Sequence, residues 1–247
     1  MTDFLFSIEE VSAKIKNTTI LADLNCKIPA RQITTVIGSS GAGKSTLLRT
    51  LVRLLDFSGE ILYLGKSIKD VSIRELRRNI CYVPQVAEMF PGTVEDNILW
   101  ARLLWKLPVS KDYISELLQS VDLDPALVFK DGKDLSVGQK QRICFARSLA
   151  LEPQVLLLDE PDSALDAISK EAFEQLIQKL RKKNTNLSII MVTHNLQQAR
   201  RLGDYVILLD KGKLVSQGVS KKIFSDNGSL SESDLLKKLL NNVEEAN

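Results

Sequence analysis

The stretch from Ile33 to Leu55 constrains the fold of this chain more than any other. Ile33 to Ile37 is a short β-branched run that reads as a buried strand and stops at Gly38. Leu47, Leu48, Leu51 and Leu55 then recur at helical spacing over Lys44 to Leu55. Between strand and helix lie Gly38, Ser39, Ser40, Gly41, Ala42, Gly43, Lys44 and Ser45, with Thr46 following. This is the Gly-x-x-x-x-Gly-Lys-Ser pattern of a phosphate-binding loop. Its glycines let backbone N–H groups turn inward onto phosphate oxygens, and the helix behind presents its positive N-terminal end. In that arrangement Lys44 reaches the β- and γ-phosphates and Ser45 offers its hydroxyl to Mg2+. A purely structural glycine-rich turn is a poor alternative, because strand and helix stand where the motif requires them.

The rest of the chain supplies the layers around this loop. Phe6, Ile8, Val11, Ile15, Leu21, Leu24 and Ile28 predict two strands joined by a turn at Asn17. Ser58-Gly59 and Leu64-Gly65 bracket Ile61 to Tyr63 as a small antiparallel piece. Further strands are expected at Ile80–Val83, Val155–Leu158, Ser188–Val192 and Val206–Leu209, the last closing a hairpin around Lys211-Gly212. A helix is expected over residues 168–183, where Arg181-Lys182-Lys183 reads as a solvated helix end. From Val94 to Leu151 the pattern turns helical, punctuated by Pro108, Pro125 and Gly132. Strands separated by helices imply an α/β layer structure with a parallel sheet. The expected organisation is one domain over residues 1–228, with a helical subdomain inserted at about 86–150. An amphipathic C-terminal helix is expected over residues 229–247, after the cap signal at Ser231 to Asp234.

Composition removes several function classes. The 247 residues carry 33 Lys plus Arg against 31 Asp plus Glu, a net charge of +2. That is no footprint for nucleic acid. Cys26, Cys81 and Cys144 are scattered and odd in number, so they read as buried thiols of a reducing compartment. Three dispersed cysteines and the single His194 cannot build a zinc site of the usual kind. The N-terminus lacks the basic start and apolar stretch of a signal peptide, and no apolar run reaches the ~18 residues of a membrane helix. A cytosolic protein is expected, which reaches any membrane through a partner.

Two further segments carry chemistry. Leu156-Leu157-Leu158-Asp159-Glu160 is an apolar strand ending in two carboxylates. Asp159 can hold a Mg2+ shell, and Glu160 is placed to polarise an attacking water. Alone the pair reads as solvated; behind a phosphate loop it reads as functional. Gln85 follows one strand and His194 another, and ligands of open α/β sheets bind at such C-terminal strand ends.

Together these segments make the sequence resemble the ATP-binding cassette (ABC) ATPases, the nucleotide-hydrolysing subunits of ABC transporters. Leu135-Ser136-Val137-Gly138-Gln139, followed by Lys140-Gln141-Arg142, resembles the family signature. Pro161-Asp162-Ser163-Ala164-Leu165-Asp166 is similar to the D-loop, Thr193-His194 to the switch histidine, and Gln85 takes the Q-loop position. The likeness covers about residues 5–220. It implies a P-loop NTPase (RecA-like) core with a mixed sheet, an antiparallel β subdomain and the inserted helical subdomain. It also implies two ATPase units, a second copy or a homologue, that sandwich two ATP with Mg2+. In each site Lys44, Ser45, Gln85, Asp159, Glu160 and His194 come from one subunit, and Ser136 and Gly138 from the other, with Gln139 beside them also counted among the nucleotide contacts. Ser45, Gln85 and Asp159 would face the metal, and Asp166 the nucleotide.

Three positions depart from the family pattern. Val137 replaces the first glycine of the signature pair, and Asp162 stands where threonine is usual. Ile15 takes the place of the aromatic that stacks on adenine, so base stacking becomes apolar contact. None of the three implies a dead site.

The resemblance further implies separate transmembrane permease subunits and a position on the cytoplasmic face of the plasma membrane. Asn97 to Leu107 holds both tryptophans. On a helix Leu99, Trp100, Leu103, Leu104 and Leu107 would form one stripe and Trp105, Ile98 and Ala101 another. Either one face, with Met89 and Phe90, receives the permease, or both are core. Soluble relatives of DNA repair or translation usually carry two cassettes or a long coiled-coil insertion; this chain shows one cassette and a compact insertion. For cargo, the signature and the Phe90-Pro91-Gly92-Thr93-Val94 stretch are similar to small stand-alone ATPases of iron- or metal-export-type systems. Phosphate or amino-acid importer ATPases are the competing resemblance.

Overall fold

Buried, largely apolar segments dictate the central strands. In the computed structural model, which describes residues 4–224, Ile33–Gly38, Val155–Asp159 and Ser188–Val192 are strands with every residue buried. Strands covered on both faces read as continuous apolar runs rather than alternating ones. In chain order the elements are β1 (Phe4–Ile15), β2 (Thr18–Pro29), β3 (Ile33–Gly38), α1 (Lys44–Leu51), β4 (Phe57–Tyr63), β5 (Lys66–Ser67) and α2 (Ile73–Asn79). Then come β6 (Ile80–Val83), α3 (Val94–Leu104), α4 (Tyr113–Ser120), α5 (Val137–Leu149), β7 (Val155–Asp159) and α6 (Ala167–Lys183). The chain continues through β8 (Ser188–Val192), α7 (Leu196–Leu202), β9 (Tyr205–Asp210), β10 (Lys213–Val219) and α8 (Ser220–Ile223). This is a mixed α/β architecture, as expected. The amphipathic stretch expected at residues 229–247 lies outside the described residues. The chain divides into two units, residues 1–77 with 188–247, and Arg78–Leu187.

The first unit holds an antiparallel sheet in the order β2-β1-β4-β5 and, beside one another, β10-β9-β3-β8. β3 runs parallel to both β8 and β9, and β10 closes antiparallel on β9. Ile37, Val206 and Leu208 pack with Leu196, Ala199 and Ile223 of α7 and α8 into one cluster. In β1 and β2 the apolar spacing slips from two to three, at Ile8 to Val11 and at Leu21 to Leu24. Each slip is a bulge, with Glu10 (φ 52°) and Asp23 (φ 51°) left-handed. Gly59 of β4 lies against the first bulge with φ 86°, so close to the Glu9 and Glu10 backbone that a side chain there would collide.

In the second unit β6 pairs parallel with β7, and three α-helices and two short 3-10 turns occupy the stretch read as helical. α3 begins with a capping box. Thr93 Oγ1 accepts from Asp96 N–H at 3.2 Å, and Asp96 Oδ2 accepts from Thr93 N–H at 2.8 Å. Asn97 is buried behind it and folds the preceding turn, accepting from Phe90 N–H and donating to the Phe90 and Thr93 carbonyls.

The two-stripe expectation for this helix needs correction. α3 ends at Leu104, so Trp105 is its C-cap rather than a face residue, and it is half-buried with the Arg78 guanidinium 4.9 Å from its ring. The buried face is Val94, Asn97, Ile98, Leu99 and Arg102. Trp100, Leu103 and Leu104 are exposed, at 58% and 61% for the first two, so both faces are not core. Arg102 was legible only as a charge, yet it is buried. It donates to the carbonyls of Pro108 and Ala150, meets Glu152 at 2.9 Å and lies over the Tyr113 ring.

All three cysteines are buried thiols, as expected. Burial pushes the Cys26 and Cys81 thiols up to about 12, which keeps them protonated and unreactive.

Candidate functional site

The phosphate-loop residues cluster at the end of β3 in the first unit. Gly38, with φ 149°, pairs with Leu209 of β9 so closely that any side chain would meet the Leu209 carbonyl. The chain then turns, Ala42 N–H donating to Ser39 O at 3.1 Å, and enters α1 through Gly43 at φ 96°. The first turn of α1 contains no acidic residue, so nothing of its own neutralises the positive helix end. Lys44 is only 7% exposed, and its Nζ donates to Gly38 O at 3.0 Å and Ser39 O at 2.8 Å. The ammonium therefore lies across the loop it serves. Ser45 is half-buried, Thr46 buried, and Ser40 and Gly41 form the exposed tip.

Bracing comes from residues that sequence reading did not single out. Ser39 Oγ donates to Asp210 Oδ1 at 2.8 Å, and Gly212 N–H donates to Ala42 O at 3.1 Å. Asp210 ends β9 and Gly212 lies in the turn to β10, a segment that the sequence shows only as a hairpin.

His194 lies in the same unit. β8 pairs with β3 in parallel up to Val36 opposite Val192, and Thr193 N–H donates to Val36 O. The exposed His194 thus follows β8 at the C-terminal strand edge, where the phosphate loop follows β3. Asn195 then caps α7, accepting from Gln198 N–H at 3.0 Å. Ile15 ends β1 half-buried, at the hairpin formed by Lys16 and Asn17 with positive φ.

The second unit gathers the acidic residues. Asp159, the last residue of β7, is 1% exposed, and its Oδ2 accepts from the Tyr82 hydroxyl at 2.8 Å. Glu160 leaves the strand in a left-handed conformation, φ 45°, and its Oε2 accepts from Gln85 Nε2 at 3.0 Å. A left-handed glutamate is sparsely populated backbone, and such conformations concentrate at functional positions. In the sequence Tyr82 shows only as part of the Ile80–Val83 strand.

The signature residues open α5. Ser136 is its N-cap: Oγ accepts from Gln139 N–H at 3.3 Å, while Gln139 Oε1 accepts from Ser136 N–H at 3.0 Å. Gln139 is thus engaged in the cap. Val137 is exposed at the first helical position, and Gly138 lies where a side chain would meet Leu165 in ordinary contact. Asp166 caps α6, accepting from Ser169 N–H and Oγ, and these bonds hold its carboxyl below the usual carboxylate range. Asp162, the residue standing for threonine, is buried. Among the described residues no helix is long and apolar enough to cross a membrane.

The chain is similar to known proteins. The family model described as ABC transporter matches residues 21–163, more than half of the chain. The protein is 40% identical over 222 residues to the phosphate import ATP-binding protein PstB of Campylobacter jejuni, covering 83% of this chain and 87% of that one. It is 42% identical over 204 residues to protein STAR1 of Oryza sativa, covering 82% of this chain but 59% of that relative. Among solved structures, CbiO1 of Clostridium perfringens, described as part of the ABC transporter complex CbiONQ, superposes with a TM-score of 0.80 at 27% identity. It covers 98% of this chain and 99% of that one.

Proposed function

Since the chain belongs to the ABC transporter family, as one of its ATP-binding, ATP-hydrolysing domains, we propose that Lys44, Ser45, Gln85, Asp159, Glu160 and His194 act on a single ATP with Mg2+. The reading rests on the strand end of β7, where two adjacent carboxylates are held apart by separate donors. Asp159 is buried against Tyr82, and Glu160 is left-handed against Gln85. That arrangement suits two different jobs.

Glu160 draws a proton from the attacking water, its carboxylate oriented by the Gln85 amide. Lys44 holds the β- and γ-phosphates together with the N-terminal N–H groups of α1. Ile15 contributes apolar contact to the adenine. The donors available for a metal are the Ser45 hydroxyl, the Asp159 carboxylate and the Gln85 amide oxygen. All are hard oxygens, and a set with one carboxylate beside substrate phosphates is how Mg2+ is usually bound. When bound, Mg2+ neutralises charge on the phosphate oxygens. His194 donates to the γ-phosphate at the strand edge it shares with the loop. Replacing His194 by Ala is expected to lower turnover about 10²–10³-fold, the usual loss of one such donor, with nucleotide binding retained. Titration of a fluorescent ATP analogue beside the turnover assay checks this; lost binding would assign His194 a different role.

A second copy of the chain, or a homologous ATPase, completes each site through Ser136 and Gly138. Those residues open α5, so its positive N-terminal end would face the γ-phosphate. Gln139 and Asp166 support these contacts from their capping positions.

The partner is a membrane permease, which places the protein on the cytoplasmic face of the plasma membrane. The face offered is Trp100, Leu103 and Leu104 with Phe90, whose ring lies 5.5 Å from that of Trp100. Exposed apolar residues grouped on one helix mark an interaction surface. Trp100→Glu is expected to abolish co-purification of the permease from solubilised membranes while the isolated protein hydrolyses ATP as before. Unchanged co-purification would remove this face from consideration. For cargo, the readings are metal or iron export and phosphate or amino-acid import. The relatives named phosphate import ATP-binding proteins favour phosphate import.

A further inference from the structure

The end of β6 and the loop after it carry two donors, one to each of the adjacent carboxylates where β7 ends. Gln85 reaches Glu160, as a Q-loop residue can, but the other donor belongs to no motif. Tyr82 stands beside Leu157 in the parallel register of β6 and β7. Residues two apart on a strand share a face, so Tyr82, Leu157 and Asp159 lie on one side. The Tyr82 hydroxyl reaches diagonally to Asp159 Oδ2 at 2.8 Å.

We propose that Tyr82 is a positioning residue for Asp159, orienting its carboxylate for the divalent cation that accompanies ATP. The inference rests on the nucleotide reading above and deepens it. Asp159 is buried, and a buried carboxylate must find hydrogen bonds or lose its charge. The terminal torsion of an aspartate is broad and two-fold, so burial alone does not settle its plane. A hydroxyl donated to one oxygen favours one orientation. The kind of donor matters equally. A lysine or arginine here would set a positive charge against the cation, whereas a phenol is neutral and brings none. Hydrogen bonds to metal-ligating carboxylates commonly change metal affinity about 10- to 100-fold when removed.

Tyr82→Phe keeps the ring and removes only the donor. The test measures three things on the full chain. Mn2+ bound to the protein–ATP complex is counted by electron paramagnetic resonance. The Mg2+ midpoint for thermal stabilisation by ATP is determined, as is the Mg2+ dependence of turnover. The expected result is a midpoint about 10-fold higher, with turnover recovering at saturating Mg2+ and ATP binding in EDTA unchanged. Tyr82→Leu, which removes ring and hydroxyl together, should shift the metal midpoint by the same factor, whatever it does to the melting temperature without ligand. A wild-type midpoint in Tyr82→Phe would overturn the inference. So would a shift confined to Tyr82→Leu, because packing would then carry the effect. A wild-type protein that neither binds ATP nor responds to Mg2+ would overturn the nucleotide reading itself, and the inference with it.

Discussion

Exchanging Glu160 for glutamine is expected to cut steady-state turnover by about 10²–10⁴, the usual contribution of a general base, while ATP stays bound. The change is isosteric, and the amide carbonyl it introduces can still accept from Gln85 Nε2 as Glu160 Oε2 does at 3.0 Å. The left-handed backbone at this position, φ 45°, makes the same demand on both residue types. Position is therefore kept and proton acceptance is lost. A single-turnover assay with labelled ATP separates the two outcomes: bound ATP persisting for many wild-type cycle times is expected. Hydrolysis at the wild-type rate would mean that the water is activated elsewhere.

Removal of Lys44 acts on binding instead. In Lys44→Ala the loop loses the cation meant for the phosphates and also the ammonium now bonded to Gly38 O and Ser39 O. Hydrogen bonds to a charged group are worth about 1.5–3 kcal/mol each, and these are nearly buried. A fall in ATP affinity of about 100-fold, close to 2.7 kcal/mol, is expected by calorimetry. Gly38, Gly43 and the Asp210–Ser39 brace remain, so the fold should persist and the loss should read as affinity. ATP bound with wild-type affinity would place the phosphates away from this loop.

How far the sequence carried the fold depended on range. β3, the loop and α1 were legible because a continuous apolar run, three glycines and a leucine stripe are all local. The bulges at Glu10 and Asp23 were present as three-residue slips in an otherwise two-residue spacing. α2 escaped notice because only Leu76 is buried along it, which leaves no stripe. The apolar pattern runs on through Trp105 to Leu107 and the first local stop is Pro108, so the sequence does not mark the end of α3 at Leu104. Arg102 looked like a solvent charge, since its partners, the Pro108 and Ala150 carbonyls, lie 6 and 48 residues away.

The candidate site divides in the same manner. The loop, the carboxylates, the signature and His194 declare themselves by residue type and order. The capping roles of Gln139 and Asp166 were locally readable too: Ser136-x-x-Gln139 is a capping-box pattern, and Asp166 precedes the helix. Tyr82 had no such signal. Its hydroxyl matters only through Asp159, 77 residues on, and pairing at that distance is set by the sheet.

The claim that a nucleotide held between two copies is the working form of this protein has one direct test. Sedimentation velocity of Glu160→Gln, with and without MgATP, measures it. A shift from monomer to dimer on adding MgATP, abolished by a second change at Ser136, is the predicted result. A monomer at saturating MgATP, with the nucleotide shown to be bound, would contradict it.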